Sequence, residues 1–163
     1  MTAFRPDESL GYLVNRTARL FARALDRRLR RHGVGIGQWA VLVVLYQRDG
    51  RTQADLSRTV AIEPPTMVRT IDRMTRDGLV ERRHDARDAR VVRIHLTERS
   101  SSLRERLFAE ARAVNAEAVR VLGVDDHRAT MESLRRLLAA MSEPDPGAAM
   151  TSQVPANATR RRR

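Results

Sequence analysis

Apolar residues three and four apart mark the first element: Leu10, Leu13, Val14, Leu20, Phe21, Ala24, Leu25 and Leu29. This spacing predicts a helix over residues 9–31, with most arginines between Arg16 and Arg31 on its other faces. Gly33, Gly35 and Gly37 break it. Residues 38–48 are apolar on most faces, Trp39 to Leu45 above all, which predicts a core helix ended by Asp49-Gly50. Thr52 and Asp55 have capping-box spacing, so a third helix starts at Thr52 and turns Ala54, Leu56 and Val60 inward. Ala61-Ile62-Glu63 reads as a turn. Pro64 and Pro65 open a fourth helix, because the first amides of a helix lack partners anyway. It runs to Arg76 or Asp77, and Gly78 terminates it.

Periodicity then changes. Leu79–Arg83 and Val91–Leu96 are strand candidates; in the second, Val92, Ile94 and Leu96 alternate with Val91, Arg93 and His95. His84–Arg90 joins them as a loop too long for a two-residue turn. A long helix is predicted from Glu98 to Val121, broken by Gly123. A last helix, capped by Asp125 or Asp126, reaches Met141 with Met131, Leu134, Leu137, Leu138 and Met141 inside. From Ser142 the pattern stops, and Pro144, Pro146, Gly147 and Pro155 predict a disordered tail ending in Arg160–Arg163. The reading is a mainly α (α+β) fold. Residues 1–32 form an N-terminal helix, 33–97 a winged helix-turn-helix, 98–142 two C-terminal helices and 143–163 a basic tail.

Charge narrows the partner. The chain carries 31 basic and 20 acidic residues, a net +11, and every one of the 31 is arginine. The tail contributes +2, so the body keeps +9. Such an excess favours a polyanion. The missing lysine is uniform along the chain and fits a codon bias, yet arginine is also the better base reader, since its planar fork binds guanine bidentately. With no cysteine, disulfides, cysteine-zinc sites and thiol switches are excluded. His32, His84, His95 and His127 lack metal-ligand spacing, so neither metal nor cofactor is expected. Ser57, His84 and Asp85 fall on a helix surface and a loop and do not make a convergent catalytic set, so no enzyme is expected. No apolar run approaches the roughly 20 residues of a membrane span, and no secretory signal is visible. The expected location is cytoplasmic, on the nucleoid, with no membrane partner.

The candidate chemistry is recognition of double-stranded DNA. A major groove about 12 Å wide admits one α-helix. In the fourth helix Met67, Ile71 and Met74 form an inner stripe, with Val68 beside it. Pro65 starts the helix, and Thr66, Arg69, Thr70 and Arg73 form a second stripe suited to phosphates and base edges. Thr52 and Gln53, at the start of the preceding helix, lie near the same DNA. The wing offers Arg83, Arg87, Asp88 and Arg90. Arg90 is the first choice for the minor groove and Arg87 the second, with Asp88 holding the arginine by a salt bridge.

Thr52–Leu56, Ile62–Asp72, Asp77–Val80, Asp88-Ala89-Arg90 and Ile94–Glu98 together resemble the MarR family of bacterial transcription regulators, in particular its SlyA-type branch. Helix order and lengths agree over about residues 9–141. The resemblance implies a sequence-specific regulator of palindromic promoter sites, and a two-fold dimer built from the first and last two helices. The apolar stripes of the terminal helices support the homodimer independently, since a small winged domain cannot cover them. It also implies a small aromatic or acidic effector in a cleft, with Val14, Leu29, His32, Trp39, Leu42 and Arg58 as candidate contacts; core packing is the competing role for Trp39. The wing departs from the family's Asp-Arg-Arg at Ala89, so a backbone contact is lost unless Arg87 or Arg93 compensates. The alternative is an architectural DNA-binding protein without sequence preference.

Overall fold

The computed structural model describes residues 5–141. The chain divides into two compact units, Met1–Glu117 and Ala118–Arg163. After a short 3-10 turn at Pro6–Glu8, the first unit contains α1 (Leu10–Leu29), a 3-10 turn (Arg30–His32), α2 (Ile36–Gln47) and β1 (Arg51–Thr52). Then come α3 (Gln53–Val60), α4 (Pro64–Arg76), β2 (Val80–His84), β3 (Val92–Leu96) and most of α5 (Glu98–Leu122). β3 lies between β1 and β2, antiparallel to both, with Ile94 opposite Arg51 on one side and Arg82 on the other. The mainly helical fold with a winged hairpin is what the hydrophobic pattern predicts; the sheet has three strands where the pattern predicts two.

Core residues come from every element around the helix-turn-helix. Leu29, Leu42, Leu45, Leu56, Met67, Ile71, Met74, Leu79, Ile94 and Leu107 are sealed from solvent. Each contributes about 1.5–3 kcal/mol of burial. Trp39 and Tyr46 meet Phe108 edge-on, with ring centroids 5.7 and 5.5 Å apart, which seats α2 on α5. Tyr46 donates to the Ser100 carbonyl at 2.6 Å, and burial pushes its phenol up to about 12.

Polar groups fix where the elements begin. α2 starts at Ile36, two residues earlier than its apolar run suggests, because side chains outside that run satisfy its first amides. Asp26 of α1 accepts from the Ile36 amide at 2.9 Å, and Gln38 Oε1 accepts from the Gly35 amide at 2.9 Å. The same buried Gln38 donates to Asp77 at 2.6 Å, tying the start of α2 to the end of α4. Thr97 donates to the Gly78 carbonyl at 2.7 Å and accepts from the Ser100 amide at 3.2 Å, so one hydroxyl joins the end of α4 to the start of α5. Between α1 and α5, Arg28 pairs with Glu110 (3.3 Å) and Glu117 (2.8 Å), and His32 meets Glu110 at 3.1 Å. His32 first and Arg28 second hold the Glu110 carboxyl below its usual range.

Two details of the sheet differ from the expected pattern. β1 was not anticipated, since two residues cannot show alternation. Val92 shares a face with Ile94 and Leu96 by parity, yet it is exposed because the hairpin has left the core by that point.

The second unit contains the last turn of α5, Gly123 in the left-handed region (φ 77) and α6 (Val124–Met141). α6 begins one residue before Asp125, so Asp125 and Asp126 sit inside its first turn, where a carboxylate favours the helix dipole. No described residue of α6 is buried. The predicted tail, with Arg160–Arg163, lies outside the described residues.

Candidate nucleic-acid interface

The reading helix is set by the turn before it. α3 is capped by Thr52, whose hydroxyl accepts from the Asp55 amide (3.1 Å) and donates to the Asp55 carboxylate (2.7 Å). Thr52 first and Arg58 second keep the Asp55 carboxyl below its usual range. At the other end Ala61 adopts φ 53, a left-handed conformation uncommon outside glycine, and its amide bonds back to the carbonyls of Ser57 and Arg58. The buried Ser57 hydroxyl donates to the Ile62 carbonyl, while the Ile62 amide donates to the Ser57 carbonyl at 3.0 Å. The turn is thus closed from both sides of one serine, and α4 leaves it at a fixed angle.

On α4, Met67, Ile71 and Met74 face the core as expected. Pro65, Thr66, Arg69 and Arg73 are exposed, and neither arginine has an acidic partner among the described residues. Arg76 extends the same exposed crest and was missed, because it reads as a helix-end residue. Thr70 differs from its expected place. It is only 8% exposed and donates to the Thr66 carbonyl at 2.9 Å, so its hydroxyl is turned into the helix. Position 70 lies on the border between the two stripes, where spacing alone does not decide the side. Thr52 and Gln53 are half-buried at the α3 start.

The wing is organised by a residue that sequence reading did not place. Asp85 accepts from the amides of Arg87 (2.8 Å) and Asp88 (3.2 Å) and pairs with the Arg93 guanidinium. Arg93 chiefly, then the Arg87 amide, hold its carboxyl down at about 2. Arg93 also donates to the Gly50 carbonyl at 2.9 Å, bracing the wing against the loop before β1. Asp88 accepts from the Arg90 amide (3.0 Å) and from its guanidinium at 3.1 and 3.2 Å, while the Arg90 side chain remains 92% exposed. The expected Asp88–Arg90 salt bridge is therefore present. His84 Nδ1 lies 2.7 Å from the Ala89 carbonyl across the loop. Arg87 is exposed and makes no ion pair among the described residues; Arg83 pairs with Glu81 on its own strand. Arg82 crosses from β2 to α4, donating to Asp72 at 2.7 Å and Thr75 at 3.3 Å, and so fixes wing and reading helix to one another.

The six ligand candidates are not brought into one pocket. Leu29 and Leu42 are sealed in the core, Trp39 packs on Phe108, and His32 is engaged by Glu110. Val14 is exposed on α1, and Arg58 pairs with Asp55 at 2.6 Å on the surface of α3. A different concavity runs along α1, about 550 Å³ and half open, lined by Gly11, Tyr12, Asn15, Arg16, Arg19, Leu20 and Arg23. Among the described residues no group of three or more His, Asp or Glu side chains could hold a metal ion, and no helix is long and apolar enough to cross a membrane.

Residues 32–91, which run from the end of the 3-10 turn after α1 through the wing loop, match the MarR family. The M. tuberculosis transcriptional regulator MOSR, solved in complex with DNA, is 31% identical over 82% of this chain and 96% of its own, with a TM-score of 0.67. The chain belongs to the MarR family of transcription regulators. A MarR transcriptional regulator from Methanosarcina mazei superposes with a TM-score of 0.75 at 25% identity, covering 80% of this chain and 94% of that one. The PcaV regulator of Streptomyces coelicolor, solved with its natural ligand, shares the fold at 23% identity and a TM-score of 0.73, over 88% and 100% of the two chains. For a MarR-family wing, the alanine at position 89 leaves Arg90 and Arg87 as the cations on the loop itself. Arg93 lies on β3, where it pairs with Asp85 and donates to the Gly50 carbonyl.

Proposed function

We propose that this chain acts as a homodimer on near-palindromic promoter DNA, with α4 in the major groove and the wing in the adjacent minor groove. The observation that carries the reading is the pairing pattern of the arginines. Arg82, Arg83 and Arg93 are committed to acids, whereas Arg69, Arg73 and Arg87 have no acidic partner among the described residues and Arg90 is oriented outward by Asp88. Exposed arginine on a helix crest suits guanine edges, and arginine at a loop tip suits a narrow minor groove. Dimerisation is supported within each unit by uncovered apolar side chains: Leu10, Leu13, Val14 and Leu20 in the first, Val121, Val124 and Met141 in the second. A two-fold pair sets two reading helices about one DNA turn apart. Within the family, the likeness of Thr52–Leu56, Ile62–Asp72, Asp77–Val80, Asp88–Arg90 and Ile94–Glu98 to the SlyA-type branch supports a regulator of that type.

A small aromatic acid is the proposed effector class. The α1 groove, with Tyr12 and Leu20 beside Arg16, Arg19 and Arg23, suits a flat anion better than the sealed Leu29 and Leu42 do. The ligand acts by favouring a dimer whose reading helices stand at the wrong separation, which lowers affinity for the operator.

The test is competition binding between random duplex and the DNA upstream of the protein's own reading frame, with a footprint on the latter. A protected, two-fold symmetric site that random DNA competes for poorly supports the reading. Equal affinity for both duplexes overturns it in favour of an architectural protein.

A further inference from the structure

Val68 is the one large apolar side chain on α4 that points away from the core. It is 40% exposed, and it is absent from the cluster of hydrophobic residues packed within or against that core. Nothing in local folding calls for it. A β-branched residue is a weaker helix former than alanine or the long polar side chains, and a half-exposed valine gains little burial. Across residues 53–97, only Val92 on the wing hairpin is comparably exposed among the large apolar residues. The other large exposed hydrophobics lie on α1, at the end of α5 and on α6.

Its neighbours define what it can touch. Val68 precedes Arg69 and stands one turn before Asp72, three residues after Pro65. Asp72, the acid on that flank, is occupied by Arg82 at 2.7 Å. Thr75, further along, accepts from Arg82 and donates to the Ile71 carbonyl at 2.9 Å. On this flank Asp72 and Thr75 are thus both engaged by Arg82, and the exposed apolar contact surface is the pair of valine methyls. Among base edges in the major groove, only thymine presents a methyl group.

We propose that Val68 is a specificity-determining residue that packs on a thymine C5 methyl next to the base pair contacted by Arg69. This rests on the reading of α4 as the major-groove helix given above. Removing one methyl group from water at the contact is worth about fourfold in affinity.

The experiment begins with selection of bound sequences from random duplexes by the full chain. Each thymine of the enriched site is then replaced by deoxyuridine, which lacks only the methyl group. At one thymine per half-site, wild type is expected to lose about fourfold on replacement, while Val68→Ala binds both versions alike. Thermal melting of Val68→Ala should match wild type, as for most exposed substitutions; Val68→Ser serves as a second variant should alanine alter the fold. If no deoxyuridine costs wild type affinity, or if the cost persists in both variants, Val68 does not read thymine although α4 still reads DNA. If selection enriches no sequence, the promoter-binding reading itself fails, and this inference with it.

Discussion

Arg69 and Arg93 carry the same guanidinium to opposite ends. Arg93 is held by the Asp85 carboxylate and the Gly50 carbonyl, whereas Arg69 is exposed on α4 and makes no ion pair among the described residues. Arg69→Ala should therefore cost about 1–3 kcal/mol at the cognate site and relax preference there, with little loss on random DNA. An unchanged ratio of operator to random affinity in a titration would remove Arg69 from base reading. Asp85 makes a pH prediction. Its folded carboxyl titrates at about 2, below the ordinary 3.8. A depressed carboxyl supplies stability above its unfolded value and loses it as pH falls through the folded one. Wing order should thus be complete above about pH 5 and fade between roughly pH 4 and 2. Amide chemical shifts of Arg87 and Asp88, followed down that range, should move together; movement centred above pH 5 would contradict the assignment.

At the scale of elements, Arg82 bridges β2 to α4 at Asp72, which suits the proposal that wing and helix meet DNA together. Arg90→Ala should weaken operator binding and flatten its salt dependence by about one unit, since one phosphate-neutralising cation is lost. A salt slope equal to wild type would place the wing outside the interface. Helix positions were legible in the sequence because the helices other than the all-round apolar α2 carry an apolar stripe, and chemical stops separate them. Pro64 and Gly78 bound α4, and Thr52 caps α3. What was not legible depends on tertiary partners. The start of α2 is moved by Asp26, β1 exists only as a partner of β3, and the turned-in Thr70 sits at a stripe border. Asp85 looked like one more loop acid, because its role comes from Arg93, eight residues away across the hairpin. The scattered ligand candidates show the same limit: Leu29 and Leu42 face the core on a stripe that spacing cannot distinguish from a cleft lining.

For the whole molecule, the uncovered apolar residues of α1 and α6 are the features that a lone chain leaves unexplained. Leu13→Asp or Met141→Asp should shift the protein from dimer to monomer in sedimentation, since either buries a charge in the proposed interface. Operator affinity should fall by far more than random-DNA affinity, because one half-site engages only one reading helix. Monomers in wild type, or dimers in both variants, would refute the interface. The turn between α3 and α4 has a consequence beyond this one protein. Ser57, Ala61 and Ile62 secure it through main-chain atoms and a buried hydroxyl, and none of the outward side chains of Val68, Arg69 and Arg73 takes part in it. Those three positions should therefore accept exchange without disturbing the scaffold, so new promoter addresses could arise there by drift or by engineering while the fold stays as it is.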